Sequence, residues 1–166
     1  MNGDVLFFKK TNSFISRIIA KLTKSNYTHV GLIVDCNLET NTITIIESNR
    51  FIATKITEVE LNDNTVIFTF DNKTSSIESK ILEFANKKIG VKYDYLQIVG
   101  LIISLLLKKQ RFAYFNTTNR FICSELIDRA YIYAGVKRYN TDNIGYLTPS
   151  ELIDAYNLKE HRGIDV

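Results

Sequence analysis

Residues 27–48 read "YTHVGLIVDCNLETNTITIIES": two runs rich in Val, Ile and Thr flank a polar stretch. Such runs, at 27–35 and 42–48, read as β-strands. The gap between them is too short for a crossover helix, so they pair antiparallel. In the first strand Val30, Leu32 and Val34 point to one face while His29, Gly31 and Ile33 point to the other. A hairpin centred near Leu38 sets His29 directly opposite Glu47, with Cβ atoms about 5 Å apart, close enough for a carboxylate to hold an imidazole N–H. A slip of one residue sends the two to opposite faces. The geometry therefore leaves Glu47 open between a partner of His29 and a solvated strand residue. His29 itself stays open between a general base and a hydrogen-bonded histidine on a half-buried sheet.

Outward from this hairpin the first half of the chain continues as strands: "DVLFF" (4–8), "FIATKITEV" (51–59) and "NTVIFTF" (64–70). With short polar loops between them they read as an antiparallel meander. "SFISRIIAKLT" (13–23) interrupts with apolar residues at helical spacing. The second half reads as helices. "SSIESKILEFANKKIG" (75–90) opens on the capping pattern Ser75-x-x-Glu78 and stops at Gly90. Further helices are expected over about 93–108 and from Cys123 to Ala134, the latter ending at Gly135. A last one starts at 148–156, with Thr148 as cap, Pro149 at the first helical position and Glu151 closing a capping box. Strands first and helices later predict an α+β domain, an antiparallel sheet or small barrel packed against helices.

The 166 residues suit a single domain over 1–166. A net charge of +3, spread over scattered lysine pairs, does not make a nucleic-acid footprint, though it suits an anionic polymer or membrane surface. Two cysteines and two histidines without paired spacing predict neither a disulfide framework nor a zinc site. The first residues lack a basic segment followed by a long apolar one, so no secretory signal is expected, which leaves a cytoplasmic location or delivery by another system. "IVGLIISLLL" (98–107) is too short to span a bilayer and reads as a buried helix or a surface in peripheral contact with a membrane. Oligomeric state is not legible.

"NRFICSELIDRAY" (119–131) carries the chemistry. On a helix beginning at Cys123, that residue shares a face with Leu126, Ile127, Ala130, Tyr131 and Ala134. Such a face is buried, so Cys123 is either a core cysteine or a nucleophile. Its place in the first turn favours thiolate, because the helix dipole and unpaired N–H groups stabilise the anion. A thiolate used in acyl transfer needs a base, and the base needs an orienting partner. His161 lies in a polar tail, which leaves His29 as the candidate base and Glu47 as its partner.

In this order "NGDVLFF", "YTHVGLIV", "TIIES", "GVKYDY", "FICSELIDRAY" and "LTPSEL" resemble the circularly permuted branch of the NlpC-type papain-like cysteine peptidases, which is distantly similar to lecithin:retinol acyltransferase. The resemblance spans Gly3 to about Leu152. It implies Cys123 as nucleophile, His29 as general base and Glu47 as the residue that orients the imidazole, with no cofactor and no metal. It implies that Tyr27 and Tyr93 line the cleft or serve the oxyanion, and that Asp94 shapes the pocket or caps a helix. Asp4 matches a structural position and Glu125 a local brace, while Cys36 matches none. The implied function is hydrolysis of an amide through a thioester, in a peptidoglycan-type peptide. A lipid acyl hydrolase or acyltransferase, and a catalytically silent binding module, are the alternatives. The partner is thus a peptide or acyl-lipid substrate rather than nucleic acid.

Overall fold

The computed structural model describes residues 1–10, 20, 25–37, 39–48, 53–93, 120–140 and 147–161. Five strands come first: β1 (Val5–Lys9), β2 (Tyr27–Asn37), β3 (Thr42–Ser48), β4 (Thr54–Glu60) and β5 (Thr65–Thr69). Helix α1 (Ser75–Asn86) follows, then the short strands β6 (Lys92–Tyr93) and β7 (Arg120–Phe121). Helices α2 (Cys123–Ala134) and α3 (Pro149–Tyr156) and strand β8 (Lys159–Glu160) complete the order. Apart from Ala20, which is helical, and Tyr93, which belongs to β6, the expected helices at 13–23 and 93–108, and with them segment 98–107 and Asp94, lie outside the described residues.

The sheet is open, six-stranded and antiparallel, in the order β4-β3-β2-β1-β5-β8, so the domain is α+β. It is not the simple meander that the short loops predict. β2, β3 and β4 do follow one another, but β1 inserts between β2 and β5. Composition supplies the reason: in "VLFFK" Val5, Leu6 and Phe7 are fully buried, so this strand is apolar on both faces and takes a central position. β4, "TKITEVE", alternates partly buried with exposed residues and lies at an edge, where its charges discourage further pairing.

The hairpin register also differs from expectation. Asn37 faces Thr42 and Cys36 faces Ile43, but after an irregularity between Ile33 and Asp35 the pairing becomes Ile33 with Ile45 and Leu32 with Ile46. A β-bulge thus takes up one surplus residue of β2. Had the tip register continued, His29 and Glu47 would fall on opposite faces. Continued beyond Leu32–Ile46, the inner register sets Glu47 opposite Gly31, so Glu47 is diagonal to His29 on the same face. Gly31 leaves room for Ile45 there: a Cβ would sit 2.5 Å from Ile45 Cδ1 and 3.2 Å from its Cβ, so the isoleucine would have to shift.

On one face of the sheet Val5, Phe7, Val30, Leu32, Ile46 and Phe68 join α2 and α3 in a single apolar cluster. The face predicted for α2 is the one buried: Leu126, Ile127, Ala130 and Tyr131 are fully excluded from water. Each such burial stabilises by about 1.5–3 kcal/mol before entropy is counted. The Tyr131 hydroxyl donates to Gly3 O at 2.9 Å, tying the middle of α2 to the start of β1.

The caps follow the sequence with one correction. α2 ends on left-handed Gly135, and α3 has Pro149 in its first turn with the reciprocal Thr148–Glu151 capping box. α1 is capped by Thr74, whose side chain accepts from Ile77 N–H, rather than by Ser75, and it ends at Asn86 rather than Gly90. Thr74 already has the extended backbone that a cap needs, which moves the helix start one residue earlier.

Candidate active site

The first turn of α2 packs on the stretch of β2 that precedes its pairing with β3. Cys123 is 8% exposed, and its sulfur lies beside the His29 side chain and the backbone N–H groups of Val30 and Ser124. Ile122, the N-cap, makes no side-chain cap, and the backbone N–H groups of a helix's first turn suit an anion. Ser124, also buried, anchors the turn by donating its hydroxyl to Leu147 O.

His29 Nε2 lies 2.6 Å from Glu47 Oε2, which leaves Nδ1 as the ring nitrogen for Cys123. Phe8 packs against the imidazole with centroids 5.4 Å apart. Glu47 is not the solvated strand residue of the plainer reading, since its side chain is only 8% exposed. Its other oxygen, Oε1, accepts from the Thr57 hydroxyl at 2.8 Å, and Lys55 Nζ stands 3.8 Å away. Thr57 is a residue that sequence reasoning missed. Its signal was the shared face of Lys55, Thr57 and Val59, legible only once β4 is known to pair with β3.

Electrostatics follow from these contacts. Burial of His29 disfavours its cation, but the facing Cys123 and the Glu47 carboxylate overcome this and push its pKa up to about 10. Burial likewise opposes the Cys123 thiolate, yet His29 and the two backbone N–H groups bring the thiol below its ordinary value. Both shifts favour the same state, a thiolate–imidazolium pair. Cys36 is the contrast: it ends β2, half-exposed, and burial with nearby Asp35 raises its thiol. At pH 7 iodoacetamide should therefore label Cys123 at least about tenfold faster than Cys36, despite the lower exposure, and His29→Ala should erase the difference. Equal, slow labelling of both in the unaltered chain would remove the basis for an activated thiol.

The remaining residues are spread out. Tyr27 joins an aromatic cluster with Phe7 and Phe68, at 5.1 and 5.8 Å between centroids. Partial burial and Glu160 raise its hydroxyl's pKa. The Tyr93 backbone pairs in parallel with Phe121, so Lys92 and Tyr93 are strapped to the chain just before Cys123. Asp4, 1% exposed, accepts from Thr69 and Lys73, both at 2.7 Å, and so has the structural part expected of it. Glu125 braces α2 through Arg129 at 2.7 Å. His161 is exposed and meets the sheet through its backbone, which bonds to Ile67 O.

Residues 1–152 match the family described as permuted papain-like amidase enzyme, YaeF/YiiX, C92. The crystal structure of metalloprotein yiiX from Escherichia coli O157:H7 superposes with a TM-score of 0.66 at 19% identity, over 97% of this chain and 96% of that one, a likeness of fold. No curated protein matches. Among the described residues no three His, Cys, Asp or Glu side chains converge to hold a metal ion. No helix among them is long and apolar enough to cross a membrane. A histidine strand that precedes the cysteine helix, with both ends of that order inside the matched residues, is what a permuted papain-like fold requires, and the chain belongs to the permuted papain-like amidase family.

Proposed function

We propose that this chain is a cysteine amidase that cleaves a peptidoglycan-type peptide through a thioester on Cys123. The observation that carries the reading is the contact set Cys123–His29–Glu47, in which a buried carboxylate, an imidazole and a helix-borne thiol follow one another. The Cys123 thiolate attacks the amide carbon, and the backbone N–H of Cys123 binds the oxyanion that forms. His29 gives its Nδ1 proton to the leaving amine as the tetrahedral centre collapses to the thioester. The neutral imidazole then takes a proton from water, the hydroxide attacks the thioester carbonyl, and the carboxylic acid departs as the thiolate is restored. Glu47 holds the ring in one orientation throughout and favours its cation.

Incubation with muropeptides and, separately, with phospholipid vesicles tests the substrate, with mass spectrometry of both. Muropeptide amide cleavage is the expected result. Hydrolysis of lipid alone would overturn the peptide reading in favour of an acyl-lipid hydrolase, and cleavage of neither would favour a silent binding module.

The pH profile follows from the two shifts. Activity requires thiolate and imidazolium together. It should rise as Cys123 ionises, below the ordinary thiol range near ~8.5, and fall as His29 loses its proton near about 10. The His29 contribution to stability has the same sign: present below the ordinary imidazole pKa, it is lost as pH rises through about 10. A kcat/KM profile with its alkaline limb near 7 would show that the pair does not form in the free enzyme.

A further inference from the structure

We propose that Thr57, on edge strand β4, is a positioning residue that fixes the plane of the Glu47 carboxylate and, through it, the His29 ring. The inference rests on the catalytic reading of Cys123, His29 and Glu47 given above. A carboxylate's terminal torsion is broad and roughly two-fold. A single hydrogen bond to His29 would leave Glu47 free to pivot about that contact. Here the two oxygens are separately engaged: Oε2 with His29 at 2.6 Å, and Oε1 with the Thr57 hydroxyl at 2.8 Å. The Thr57 contact anchors the oxygen that His29 does not hold and so bears on the carboxylate's orientation.

The strand pairing explains why Thr57 can reach. β3 and β4 run in unbroken register, Lys55 opposite Glu47 and Thr57 opposite Ile45. Thr57 is therefore diagonal to Glu47 on its own face, while Ile56 and Glu58 turn outward. Lys55 is placed to supply charge rather than direction. Its ammonium is 3.8 Å from Oε1, beyond hydrogen-bond reach, and 39% exposed, where solvent screens it. Among the described residues the charged or titratable groups seen to face Glu47 include His29 of β2 and Lys55 of β4, with Cys123 of α2 one contact beyond.

The test compares Thr57→Val, Thr57→Ala and Thr57→Ser in the full chain, following iodoacetamide alkylation of Cys123 against pH, muropeptide turnover and thermal melting. Thr57→Val and Thr57→Ala should lower kcat by about tenfold with little change in KM, as befits loss of a hydrogen bond to a charged group. They should move the acid limb of the alkylation profile upward by about half a pH unit or more. Thr57→Ser should restore both readings to the unaltered chain's values. If Thr57→Val and Thr57→Ala leave that profile unmoved while Glu47→Gln moves it, Thr57 has no positioning role and the catalytic reading stands. A low kcat with an unmoved limb and a lowered melting temperature would make Thr57 merely structural and likewise overturn the inference. If Cys123 in the unaltered chain alkylates like Cys36, the catalytic reading itself fails, and the role of Thr57 falls with it.

Discussion

Cys123→Ala is expected to reduce muropeptide hydrolysis by roughly 10⁴-fold or more while the chain stays folded. The magnitude comes from the kind of step lost. Without a nucleophile there is no thioester, and only water attack assisted by the oxyanion donors and by substrate binding remains. Cys123→Ser should be nearly as inactive, because the same imidazole and N–H groups that ionise a thiol are too weak to ionise a hydroxyl. The two variants separate chemistry from architecture. Both should keep the far-UV circular dichroism of the parent, since Leu126, Ile127, Ala130 and Tyr131 still anchor α2. Turnover of Cys123→Ala above about a hundredth of the parent's would move the nucleophile elsewhere, and the function proposed here would have to be abandoned.

Asp128→Ala is expected to have the largest effect on stability, a loss of about 3–5 kcal/mol. Asp128 has no solvent exposure and meets Arg138, whose side chain is 7% exposed, at 3.0 Å. The Tyr156 hydroxyl donates to the same carboxylate oxygen at 2.6 Å. Alanine would strip the guanidinium of its carboxylate in a place that water hardly reaches, and it would take an acceptor from a buried phenol. For a chain of this size the melting temperature should fall by roughly 10 °C. Asp128→Asn, which keeps hydrogen-bonding capacity but not charge, should lose less. A drop below about 2 °C for the alanine variant would mean that the pair is solvated rather than buried. Because this cluster joins α2 to α3, its loss should also loosen the helix that carries Cys123.

The chain declared some of this in one dimension and concealed the rest. Local signals were sufficient where the cause is local: the alternation in β2 and β3, the apolar stripe of α2, Gly135 and the Thr148–Glu151 box. The order of a histidine strand before a cysteine helix needed only linear position. Pairing partners are another matter. That β1 lies between β2 and β5 depends on contacts between segments far apart in sequence, and Val34 gives no outward sign of the bulge beside it. Centring the hairpin near Leu38 brought His29 and Glu47 to the same face by the wrong register, directly opposed instead of diagonal. Ser124, Glu125 and Asp128 fall outside the apolar stripe that the period gives α2, yet all three are buried, because the helix is covered there as well. A helical period reports one apolar face; it cannot report a second face lined with satisfied polar groups. Thr57 was hidden for a related reason, since a threonine on an edge strand is ordinary until its neighbour across the ladder is known.

One contact ties the reaction to the fold's inheritance. Val30 belongs to the part of β2 beyond its pairing with β3, and its backbone N–H is directed to Cys123 sulfur. The sulfur thus takes the place of the carbonyl that a neighbouring strand would have offered, and its loss would leave a backbone donor in need of another acceptor. A descendant that abandons hydrolysis while keeping this architecture is not free to place any small residue there. Selection on folding alone should retain a side chain able to accept from Val30, such as serine, threonine or asparagine, and should disfavour alanine. An acceptor without a thiol at this position would be the expected relic of a lineage that stopped cutting its substrate and went on binding it.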